Sequence, residues 1–120
     1  MSYTSSTLNH VTSVTRSQGL TVIWTPPSNF DPNMFIQISG FAYAQGLPWG
    51  AEYVCNAPLA AQRFTIPPAV LLALPPQPVG GLPSGTLEID LIITKQFTAP
   101  GADVGTINWI AASPQPFSYQ

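Results

Sequence analysis

A chain of 120 residues has room for one domain with a core of its own, with no metal or disulfide needed to hold it. Only 7% of the residues are charged, against roughly 25% in an average soluble domain, and 45% are hydrophobic, so Ser, Thr, Asn, Gln, Gly and Pro must make the surface. Three basic residues (Arg16, Arg63 and Lys95) cannot neutralise a phosphate backbone, which excludes nucleic acid as a partner, and a net charge of -2 is too small to steer a cationic one.

The polar start MSYTSSTLNHVTSVTR has neither a basic n-region nor an apolar h-region. It reads as a linker over residues 1–10 before a single β-sandwich domain over residues 11–120, either not exported or excised from a protein whose export signal lies elsewhere. LNHVTSV offers a first short strand. In GLTVIWTPP, Leu20, Val22 and Trp24 take one face and Thr21, Ile23 and Thr25 the other, the period of a strand, until Pro26 and Pro27 end it for want of a ladder donor. SNFDPN is a turn. Met34, Ile36 and Ile38 then alternate with Phe35, Gln37 and Ser39 in a strand that Gly40 ends or bends, and AEYVCNAP and QRFTIP supply two more.

FTIPPAVLLALPPQPVGG is the least polar stretch of the chain. Its apolar run over residues 69–74 is far too short to cross a bilayer, which argues against membrane insertion. Pro67 or Pro68 fits the first turn of a helix, where no amide donor is needed, and Pro75 stops it. A one- to two-turn crossover over residues 68–74, held by packing over the core, is expected. In GTLEIDLIIT, Leu87, Ile89, Leu91 and Ile93 point one way and Glu88, Asp90 and Thr94 the other, with Ile92 the apolar exception on that outer face. This is the pattern of a half-buried antiparallel strand. FTAPGADVG joins it to a last strand in GTINWIAA. Roughly seven short strands with turn-rich connections and no substantial helix predict an all-β, two-sheet antiparallel sandwich.

The phrases RSQGLTVIWTPP (16–27), YVCNAP (53–58), FTIPPAVLLALPP (64–76), GTLEI (85–89) and the terminal FSYQ (117–120) together resemble an immunoglobulin-like or fibronectin type III-like module found near the C-termini of large secreted proteins of soil bacteria. The resemblance spans residues 12–120. It implies an extracellular place beside adhesion-like or repeat domains, and it brings no catalytic or binding residues with it. The sequence departs from the pattern at PPSNFDPN, where a short glycine-rich turn is expected, and at the longer loop before PWGAEY.

Few residues here suit chemistry. His10 is the sole histidine and Cys55 the sole cysteine, so neither a His–Cys metal cluster nor an internal disulfide can be assembled, and no G-x-S-x-G elbow presents a serine to a triad. His10 reads as solvated, and Cys55, with Tyr53 and Ala57 on its face, as a small buried hydrophobe. Glu88 and Asp90, two apart on one strand face, read as solvated residues without the intervening cleft of a glycosidase; Asp31, Asp103 and this pair lack the spacing of a calcium loop. Neither a cofactor nor a catalytic residue is expected.

Two functions remain. The first is a non-catalytic structural or adhesive module of a secreted or cell-surface bacterial protein, self-associating through edge strands or an apolar patch that includes Ile92. The alternative is a carbohydrate- or protein-binding module. Trp49, set between proline and glycine in a loop, would offer a plate for a sugar ring or a partner, with Tyr43 and Tyr53 nearby and Gln45 and Glu52 to orient hydroxyls. Trp24 and Trp109 are assigned to the core.

Overall fold

A computed structural model describes residues 12–26, 28–81 and 84–120, and for residues 109 and 111–113 the backbone alone. The chain is mostly β: one large mixed sheet, one small sheet, one short helix, and no closed barrel among the described residues. The strands are β1 (Ser13–Val14), β2 (Leu20–Ile23), β3 (Phe35–Tyr43), β4 (Gly50–Pro58), β5 (Arg63–Ile66), β6 (Gly85–Phe97) and β7 (Gly105–Tyr119), with helix α1 (Pro68–Leu72) between β5 and β6. The large sheet runs β1-β7-β6-β3-β4 and the small one β2-β5.

The expected elements are present, with three corrections. The large sheet is mixed, because β1 lies parallel to β7, with Ser13 opposite Ser118 and Val14 opposite Tyr119. Gly40 neither ends nor bends its strand out of register: β3 continues to Tyr43, paired with β4 on one side, and on the other with β6 as far as Phe41. Strands β6 and β7 also run on past the alternating runs of the sequence, to Phe97 and Tyr119. The expected linker at residues 1–10, with His10, lies outside the described residues, as does the side chain of Trp109.

One face of the large sheet carries Ile36, Ile38, Leu87, Ile89 and Leu91, which join Leu20, Val22 and Ile66 of the small sheet in a single buried cluster. The period-two alternation of the sequence therefore marks the core face of both sheets. Trp24 is 2% exposed, and its indole Nε1 donates to the Leu59 carbonyl at 2.7 Å, so the one polar atom of the ring is satisfied inside the core.

Helix α1 closes the edge of this core with Leu71 and, just beyond its end, Leu74, both buried. Pro68 sits in its first turn, as its missing amide and fixed φ favour. At the other end Nη1 of Arg16 donates to the carbonyls of Leu74 at 2.8 Å and Leu72 at 3.3 Å. A guanidinium there satisfies acceptors that a five-residue helix leaves open, and its charge suits the negative end of the helix.

Gly40 explains its own position. A Cβ there would collide with the Tyr119 hydroxyl and the Tyr53 ring, which cross over the β3 backbone. The Tyr119 hydroxyl donates to the Thr86 carbonyl at 2.9 Å, and its single hydrogen being so used, the Tyr53 hydroxyl must donate to it, also at 2.9 Å. The two rings meet edge to face with centroids 6.0 Å apart. Burial pushes the Tyr53 phenol up to about 12; the Tyr119 phenol is raised further, by burial first and then by Tyr53. Both are neutral hydrogen-bonding groups of the core.

The outer face of β6 departs from expectation. Ile92 is 5% exposed, flanked by Phe35 on β3 and Ile110 on β7; the expected assembly contact is therefore a buried residue. Asp90 is 7% exposed, between Gln37 and Ala112, and its Oδ1 has no hydrogen-bond partner. Burial, then the charge of Glu88, then a hydrogen bond with Glu88 push the Asp90 carboxyl up to about 6. It is not the solvated carboxylate its position on the outer face suggested.

Beyond Ile92 the sheet narrows. Among the described strands, residues 93–97 of β6 pair with residues 105–109 of β7 and with no other, since β3 ends opposite Ile92. This two-stranded arm keeps the alternation of the sheet. Thr94 faces Asn108, with Thr94 Oγ1 donating to Asn108 Oδ1 at 2.8 Å, and Gln96 faces Thr106. On the other face Lys95 is opposite Ile107 and Phe97 opposite Gly105, and both Phe97 and Ile107 are exposed, as is Val104 in the connecting turn.

Candidate binding site

At the opposite end of β6 the β3–β4 turn approaches the segment that leads into β6. Ala44 N donates to the Trp49 carbonyl at 2.9 Å and Leu47 N to the Ala44 carbonyl at 3.1 Å, which folds residues 44–49 into a compact turn. Gly46 has φ 72°, in the left-handed region that glycine adopts without cost. Tyr43, the last residue of β3, stands 57% exposed with its ring edge to face with Phe41, centroids 4.5 Å apart.

Between this turn and residues 77–81 with Ser84 lies a cleft of about 370 Å³, lined by Tyr43, Gln45 and Gly46 on one side and by Gln77, Pro78 and Ser84 on the other. Its volume is within the range of small-molecule sites. Gln77 is buried and held at three points. Its N donates to the Tyr119 carbonyl, Tyr119 N donates back to its Oε1, both at 2.8 Å, and its Nε2 donates to Ser84 Oγ at 2.7 Å. The side-chain amide thus takes the place of a backbone peptide beside the end of β7. No charged residue is among the described residues lining the cleft.

The structure brings together two of the five residues named from sequence. Tyr43 and Gln45 line the cleft; Trp49 is on the same turn, 53% exposed, but is not part of the lining. Glu52 is exposed on β4 opposite Phe41, and Tyr53 is in the core against Tyr119, so it is no surface residue. Gln77 and Ser84 escaped sequence reading. The available signal was a lone amide in the apolar, proline-rich run PPQP, a polar group that burial obliges to find partners. Cys55 is half-buried opposite Ile38, and burial raises its thiol pKa.

No protein-family model matches the chain, and no curated protein and no solved structure is significantly similar to it. Among the described residues no three His, Cys, Asp or Glu side chains gather where a metal could be held, and no helix is long and apolar enough to cross a membrane.

Proposed function

We propose that this chain is a non-catalytic structural or adhesive module, an immunoglobulin-like or fibronectin type III-like sandwich of a secreted or cell-surface bacterial protein, and that it self-associates through the β6–β7 arm. The observation that carries the reading is the arm itself, whose Phe97 and Ile107 continue the core face of β6 and β7 past the end of β3, with no strand among the described residues beside them on the β6 edge. An unpaired strand offers its amides and carbonyls to another strand.

Prolines sharpen the assignment. Pro114 and Pro116 withhold donors from any strand that would extend the sheet along that part of β7, whereas residues 93–97 and 105–113 contain no proline. The guarded stretch lies over the core and the unguarded one includes the arm. With 7% charged residues, little repulsion opposes contact between copies. The arm replaces Ile92 as the anchor, since Ile92 is already covered within its own sheet.

Sedimentation velocity between about 5 and about 200 µM tests this, on the scale where weak association appears. The wild type should gain mass with concentration, and Phe97→Ser combined with Ile107→Ser should remain monomeric with an unchanged circular dichroism spectrum. A wild type that is monomeric throughout overturns the proposal.

A further inference from the structure

The cleft between the β3–β4 turn and residues 77–81 with Ser84 lies at the start of β6, at the other end of the strand from the arm, and its chemistry is different. We infer that it is a binding site for a neutral saccharide. Its lining argues by elimination and by fit. With no carboxylate and no cation among the described lining residues, nothing there compensates a charged ligand for its lost hydration. A purely apolar ligand would strand the Gln45, Gln77 and Ser84 groups without water.

What suits the lining is a ligand with an apolar face and a rim of hydroxyls. Tyr43 supplies the plate, more than half exposed and braced edge to face by Phe41. Gln45 supplies an amide that both donates and accepts. Ser84 Oγ accepts from Gln77 and so keeps its own hydrogen to give, while the second hydrogen of the Gln77 amide is left for a ligand oxygen. Gln77 is fixed before any ligand arrives, by its two bonds to Tyr119 and one to Ser84, so little ordering is lost on binding at that group.

The test is a titration of the isotope-labelled full chain, followed by backbone and side-chain amide resonances, with glucose, galactose, mannose, xylose and N-acetylglucosamine as neutral probes and glucuronate and glucosamine as charged ones. At least one neutral sugar, at no more than about 10 mM, should shift Gln45, Gly46, Ser84 and the Gln77 side-chain amide. Neither charged probe should bind more tightly than its neutral counterpart. Tyr43→Ala should weaken binding at least about tenfold while Tyr43→Phe, which keeps the plate, changes it less than about threefold. Should Tyr43→Ala lose its dispersed spectrum, Gln45→Ala is the deciding variant, expected to weaken binding about threefold or more. The inference is overturned if no neutral sugar shifts these residues, if the shifts fall elsewhere, if a folded Tyr43→Ala or Gln45→Ala binds as wild type does, or if a proline-rich peptide shifts the cleft and no sugar does.

Discussion

Residues 86–92 of β6 have a strand on either side and contribute Leu87, Ile89 and Leu91 to the core cluster shared with the small sheet, whereas residues 93–97 have β7 alone among the described residues and, past the half-buried Ile93, set the same face of the strand, as Lys95 and Phe97, in the open. Strand geometry is continuous across the boundary and burial is not. The difference shows that hydrogen bonding to one neighbour suffices to extend a strand, while stability comes from what covers its faces. The covered half should resist change and the arm should tolerate it.

The largest effect is expected where the covered half is tightest. Gly40→Ala places a Cβ against the Tyr119 hydroxyl and the Tyr53 ring, neither of which can yield without breaking the bonded pair, and should cost about 3 kcal/mol in urea unfolding. A loss below about 0.5 kcal/mol would mean that the rings do not cross the β3 backbone there.

The next effect depends on pH. Asp90 holds its proton more tightly in the folded chain, at about 6 against the ordinary 3.8, so its contribution favours folding most below about pH 4 and is lost as pH rises through that window. The loss is at most on the order of 3 kcal/mol for a shift of this size. Gln37 on β3 and Ala112 on β7 carry no charge beside it; Glu88 is the ionisable neighbour on its own strand. Asp90→Asn should therefore be more stable than wild type at about pH 7 and lose this part of the pH dependence in urea unfolding. An unchanged profile would contradict the burial of this carboxyl.

The smallest effect belongs to the arm. Phe97→Ser with Ile107→Ser removes two exposed side chains and should shift the stability of the dilute protein by no more than about 0.5 kcal/mol. A loss of several kcal/mol would place the arm in the core.

Much of this division could be read along the chain. Alternation in residues 34–38 and 87–93 marked the core faces of β3 and β6, and the proline brackets marked α1. These signals are local, set by strand period and by proline's missing donor. What could not be read depends on partners far away in sequence. Tyr53 and Tyr119 are 66 residues apart, and only their meeting gives Gly40 its role. Gln77 and Tyr119 are 42 apart, so half of the cleft was out of sight although Tyr43 and Gln45 were named. For Ile92 and Asp90 the sequence told which face they take, but not that their neighbours on β3 and β7 would cover it.

Hydrogen exchange at two concentrations tests the contrast most directly. In a sample of about 1 µM, amides of residues 93–97 and 105–109 should exchange rapidly while residues 36–40 and 87–91 are strongly protected; at about 200 µM the arm should gain protection and the rest should not change. Arm amides as protected as those of β3 in the dilute sample, or equally unprotected at both concentrations, would contradict an exposed arm that is covered by a second copy.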